Sequence, residues 1–217
     1  SPPPPSPSSP PPPWSPPPLR VVDELNRRFH HGGAADSLAD AGVLIHMFDN
    51  LEDGVEAWRV CRTGWCAGRV DHESCSLVNA RLRSLFNYGA GVALASTTQY
   101  ACSFTSDGGT QDKRLGGCEE VPPCRPTKWW ECGWRMDQLR DAIATQVSLA
   151  GDVAYNEFIV SAVYWEAHLP SIIEAFVCRD ECGKARRAHA QFLAAFDRTH
   201  AQTPLVYYGA DGFEPLV

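Results

Sequence analysis

Apolar positions along this chain repeat with two different periods, and the period predicts the element. Over residues 19–30, Val22, Leu25 and Phe29 recur at helical spacing, and Gly32-Gly33 marks the stop. Met136, Leu139, Ile143, Val147 and Ala150 predict a second amphipathic helix over 136–150, ended by Gly151. Ala188, Phe192 and Phe196 predict a third over 184–198. Short apolar runs read as strands over 42–48, 76–78, 91–96, 99–104, 157–162, 171–177 (entered from Pro170) and 204–208. Turn chemistry separates them: Asp36 is placed to cap a short turn, 50–54 is an acidic turn, and Ser106-Asp107-Gly108-Gly109 breaks the chain again. Helices and strands mix without regular alternation, and no internal repeat is visible. The expected fold is α+β, one mixed globular domain over residues 19–217.

Residues 1–18 obey neither period. They read SPPPPSPSSPPPPWSPPP: twelve Pro, five Ser and Trp14. Proline sets φ and removes the backbone donor, so repeated proline selects the stiff polyproline II rod. At ~3.1 Å per residue the arm reaches roughly 55 Å, well beyond the body's radius of gyration of roughly 16–17 Å. Such a segment serves as a spacer by default. A lone aromatic, Trp14, offers a point at which the rod could dock.

Composition narrows the compartment. The chain has 217 residues, a net charge of −7 and a pI near 5.5. An acidic surface argues against nucleic acid as partner, and no apolar run approaches the roughly 18 residues that span a bilayer. A sequence opening on Ser1 in a Pro-rich run reads as already processed. Nine cysteines are present, without a C-x-x-C pair or a zinc-finger histidine, so no metal or other cofactor is expected. Disulfides in an oxidising compartment are the better reading. The expected local bridges are Cys61–Cys66, Cys102–Cys118, Cys124–Cys132 and Cys178–Cys182, which leaves Cys75 as a buried free thiol or as a reactive or intermolecular one.

Tryptophan is the most concentrated candidate chemistry. Trp129, Trp130 and Trp134 cluster between Cys124 and the 136–150 helix, on either side of Cys132. Adjacent side chains in an extended segment point to opposite faces, so Trp129 and Trp130 cannot both face one core. An exposed indole platform suits a sugar ring or the proline rod of another copy. An arm-to-platform contact is heterologous and builds a ring or an open filament.

The Ser-Pro-Pro-Pro-Pro blocks resemble the hydroxyproline-rich glycoproteins of plant and green-algal extracellular matrix, including pherophorin-like proteins that join such rods to cysteine-bearing domains. The resemblance covers the arm and the two-part architecture. It implies hydroxylation and O-linked arabinose or galactose on Pro2, Pro3, Pro4, Pro5, Pro10, Pro11, Pro12 and Pro13. It also implies secretion to a matrix, cell wall or flagellar surface. None of Asn26, Asn50, Asn79, Asn87 or Asn156 begins an N-glycosylation sequon. The expected function is a structural extracellular glycoprotein whose arm docks on a neighbouring copy. Its partners would be other copies, O-glycans and matrix polysaccharide.

Two alternatives stand beside it. One is a carbohydrate-binding matrix module using the same indoles. The other is an enzyme, although G-x-S-x-G, H-E-x-x-H and P-loop motifs are absent. Arg28–Leu44, then Ser96-Thr97-Thr98, then Tyr155-Asn156-Glu157 resemble the Arg, Ser-Thr-Ser, Glu order of ADP-ribosyltransferases. The resemblance implies Glu157 as catalytic candidate. The chain departs from the pattern in having Thr98 for the last Ser and Tyr155 where an acid is expected.

Overall fold

A computed structural model describes residues 17–32, 41–47, 72–83, 89–98, 102–104, 114–117, 157–161 and 168–216. They form helix α1 (Pro17–His31), strands β1 (Val43–Met47), β2 (His72–Val78), β3 (Ala90–Leu94), β4 (Cys102–Phe104), β5 (Arg114–Gly117), β6 (Glu157–Ser161) and β7 (Ile173–Cys178), helix α2 (Cys182–Phe196), and strands β8 (Leu205–Gly209) and β9 (Gly212–Pro215). The strands make one sheet in the order β5-β4-β6-β2-β1-β3-β7-β8-β9. Every neighbouring pair is antiparallel except β7–β8, which is parallel and joined through α2. A parallel pair needs a crossover, and the amphipathic 15-residue α2 supplies it. The class is α+β.

Alternation along the strands sorts the core into two layers. Leu44, Leu77, Val92, Leu94, Phe176, Cys178 and Leu205 face one way, onto Ala185, Ala188 and Phe192 of α2. Val43, Ile45, Val78, Ala93, Ala175, Val177 and Val206 face the other, onto Val22, Leu25 and Phe29 of α1. The central strands are therefore apolar on both sides, which explains why they read as continuous apolar runs.

Helix α1 begins at Pro17, two residues before its expected start at Leu19 and inside the expected arm. Proline is compatible with a first helical turn, where its missing N–H has no intrahelical acceptor to lose. β2 begins at His72, four residues earlier than the apolar run suggests, because polar His72, Glu73 and Ser74 continue the pairing with β6. Strands β5 and β9 were not expected. β9 begins at Gly212, which takes φ +117° and closes a hairpin onto β8.

One irregularity shapes the interior. Ala93 pairs with Ala175 and Leu94 with Ile173, so Glu174 is an extra residue in β7. Ile173 and Ala175 consequently lie in opposite core layers, although they are two residues apart. The bulge makes room for Glu174 to reach α1.

Candidate functional site

The β7–α2 junction gathers reactive side chains at the carboxyl end of the parallel pair. Cys178, the last residue of β7, is fully buried and bridges to Cys182, the first residue of α2, across a Cα–Cα distance of 4.9 Å. Cys182 is partly buried. Between them the backbone folds over one carbonyl: the amides of Arg179, Asp180 and Glu181 all donate to Gly89 O, at 2.9, 3.1 and 3.1 Å. The Lys184 and Ala185 amides then donate to Glu181 O and open the helix. Charges in the loop are locally matched. Lys184 Nζ donates to Glu181 Oε2 at 2.5 Å, and Arg179 faces Asp180 at 3.8 Å. Beside the loop, Tyr207 pairs with Cys178 and is exposed. Tyr208 turns inward and donates its hydroxyl to Arg83 O at 3.1 Å. Burial pushes that phenol up to about 12, against the pull of Arg179 and Arg83.

A second constellation lies beneath α1. Arg28 is 2% exposed and its guanidinium is bound to the Glu174 carboxylate. Arg28 Nη1 also makes a long 3.4 Å contact with Leu94 O, and Nε lies 3.8 Å from Glu24 without a hydrogen bond. Burial raises the Glu174 carboxyl above the usual range, with Arg28 pulling it back down. Asn26, on the same helix, pairs twice with Phe213 of β9: Nδ2 donates to the carbonyl and Oδ1 accepts from the amide, both at 2.8 Å. The edge strand's outward backbone groups are thereby satisfied by a side chain.

The segment after β2 completes this scaffold. Buried Asn79 accepts from the Arg81 and Leu82 amides through Oδ1 and donates to Ala41 O through Nδ2. The Ala80 amide donates to Phe29 O at the end of α1. Gly32 is required here, since a Cβ would overlap the Ala41 carbonyl and Asn79.

On the opposite face, His189 is buried against Phe176, with ring centroids 5.2 Å apart, and against His200 at 5.3 Å. Its Nε2 lies 2.6 Å from Thr203 O, and only a protonated nitrogen can donate to a carbonyl. Burial lowers the imidazole's affinity for a second proton, and His200 adds to the effect.

Of the residues singled out from sequence, the structure brings together Cys178 and Cys182. Cys75 is a buried thiol in β2. Cys102 stands in β4 opposite Gly117, the residue before Cys118, but the bridge itself lies outside the described residues. So do Pro2–Pro5, Pro10–Pro13, Trp14, Cys61, Cys66, Cys124, Cys132, Trp129, Trp130, Trp134 and the helix expected over 136–150. Glu157 is placed in β6, opposite Phe104. Three strand steps separate β6 from β3, or about 14 Å at ~4.8 Å per step, whereas Arg28 is bound over β3 and β7. The strand order does not bring Glu157 to Arg28. Among the described residues no group of three metal-ligating side chains occurs, and no helix is long and apolar enough to cross a membrane.

Sequence reading missed the roles of Asn26, Asn79, Glu174 and His189. Only Asn79 had a local signal, an Asn two and three residues before the amides it accepts. Comparison with protein-family models found no match, and comparison with curated proteins found none.

Proposed function

We propose that this protein is a structural glycoprotein of an extracellular matrix or cell surface, in which the proline rod of one copy docks on the indole cluster of the next. The observation that carries the reading is a disulfide, Cys178–Cys182, inside the domain that follows a Ser-Pro4 rod. A bridge of this kind fits an oxidising compartment, and the rod's composition fits a secreted, glycosylated spacer. The start of α1 at Pro17 supports a stiff junction. Pro17 and Pro18, the last prolines of the Pro-rich run, form the first turn of a helix anchored by Val22, Leu25 and Phe29. In this reading Trp14 anchors the rod and Trp129, Trp130 and Trp134 form the dock. A head-to-tail contact of this sort propagates, so filaments are its natural product.

Two measurements test it. Protein from its natural source should carry, on the peptide spanning residues 1–18, the mass increments of proline hydroxylation and of pentose or hexose. An unmodified peptide removes the glycoprotein reading. Size-exclusion chromatography should show concentration-dependent assembly that disappears when residues 1–16 are deleted. Assembly unchanged by the deletion removes the docking.

A further inference from the structure

We propose that Cys178–Cys182 is an exchangeable disulfide, with Cys182 the attacking and attacked sulfur and Cys178 the resolving one. Four observations at the β7–α2 junction carry this.

The bridge adds little as a staple. The two cysteines are four residues apart, and loop-closure entropy grows with loop length. The loop is held without the sulfur–sulfur bond as well. Cys178 is fixed in β7 between Ala90 and Tyr207, three consecutive amides grip Gly89 O, and α2 starts on Glu181 O. Opening the bridge therefore leaves the surrounding backbone where it is, which reversible exchange requires.

The two sulfurs are differently placed. Cys178 belongs to the sealed core and Cys182 sits at its margin. A thiol arriving from solvent meets Cys182 first. Cys182 also stands at the first position of a 15-residue helix, where the amide dipoles favour a thiolate. No acidic residue lies in the first turn, and the flanking Glu181 carboxylate is neutralised by Lys184.

The chemistry balances as two successive exchanges with a small disulfide, RS–SR. The Cys182 thiolate attacks one sulfur of RS–SR; a Cys182–SR bond forms, the S–S bond breaks, and RS⁻ leaves. Cys178 then gives up its proton and attacks Cys182 Sγ, forming Cys178–Cys182 and expelling a second RS⁻. The protein dithiol is oxidised by two electrons and RS–SR is reduced to two thiols. Reduction runs the same path backwards, with the external thiolate attacking Cys182. The couple's chemical class is a small aliphatic thiol and its disulfide, with glutathione as the probe.

The test uses the full chain under native conditions. Reduced and oxidised glutathione are titrated at pH 7, thiols are trapped, and each cysteine is assigned by peptide mass. The bridge should open and close reversibly while the circular dichroism of the domain is unchanged. In reduced protein at pH 6.5, iodoacetamide should modify Cys182 at least roughly tenfold faster than it modifies Cys178, and faster than it modifies Cys182 in urea. Cys178→Ala should retain glutathione on Cys182. The wild-type alkylation arm stands even if that variant folds poorly. A bridge that yields only with denaturant overturns the proposal. So do equal alkylation rates at the two cysteines, which would leave a structural staple.

Discussion

The two described helices hold the same sheet by different means. α2 lies within the chain's path between β7 and β8, tethered at both ends, and its inward side chains are small or aromatic: Ala185, Ala188, Phe192. α1 precedes every strand and is tied by side chains that reach across the molecule. Arg28 meets Glu174, 146 residues away, and Asn26 meets Phe213, 187 residues away. Beneath α1 an apolar stripe is supplemented by polar bonds to partners far along the chain; over α2 the buried polar bond, His189 to Thr203 O, is local to the crossover, 14 residues apart. The α1 face therefore has a specified register, and losing a single partner there leaves a buried charge or an orphaned amide.

Breaking the ion pair is the harshest test of that difference. Arg28→Ala should lower stability by about 3–5 kcal/mol in urea unfolding, because Glu174 is left buried without its cation. Arg28→Met combined with Glu174→Leu should recover most of the loss. If the double replacement is as unstable as the single one, the α1 face depends on the charges themselves. Hydrogen exchange in Arg28→Ala should show α1 amides opening ahead of the central strands.

On the α2 face, Phe192→Ala should cost about 3 kcal/mol through the cavity it leaves beside Phe176 and Phe196. Phe192→Leu should cost far less, since apolar volume is what Phe192 contributes to the face. Hydrogen exchange in Phe192→Ala should show global rather than local opening. Selective release of α2 would erase the distinction between the helices.

Gly212→Ala should cost roughly 1–3 kcal/mol, because φ +117° is strained for alanine. The new Cβ would also press on Asn26 Oδ1 at 2.5 Å. Asn26→Ala should cost about 1–2 kcal/mol by orphaning the Phe213 groups. If the two changes together cost no more than either alone, they act through the same α1–β9 contact.

The smallest effects are pH slopes, and they have opposite signs on the two faces. His189 holds its proton less tightly folded than unfolded. Its contribution is present above about pH 6.5 and is lost as pH falls toward the lowered folded value. Glu174 holds its proton more tightly folded. Its contribution is complete below the ordinary value of 4.5 and is lost as pH rises through the raised folded one. Stability measured from pH 4 to 8 should lose the first slope in His189→Gln and the second in Glu174→Gln. A variant that keeps the wild-type slope would assign the titration elsewhere.

Periodicity made both described helices legible, α1 through Val22, Leu25 and Phe29, and α2 through Ala188 and Phe192. It also revealed β6, and β1, β3, β7 and β8, the last four with apolar side chains buried on both faces. β9 was hidden because two of its four residues, Glu214 and Pro215, are exposed and its hairpin signal, Asp211-Gly212, is brief. Cys178–Cys182 was legible because four residues is a local distance. Arg28 was visible only as a motif resemblance, and its real partner was not, because bulging Glu174 out of register is a property of the β3–β7 ladder.

By itself the sequence determined where the described residues are helical or extended, and which two neighbouring cysteines can close a ring. Those are consequences of side-chain period and short-range geometry, all set within a few residues. The order of the nine described strands, the placing of α1 and α2 on opposite faces, and the meeting of Arg28 with Glu174 came from tertiary structure alone. Each joins groups separated by tens of residues or more. Their meeting depends on how whole faces pack, and no local pattern of apolar and polar positions encodes that choice.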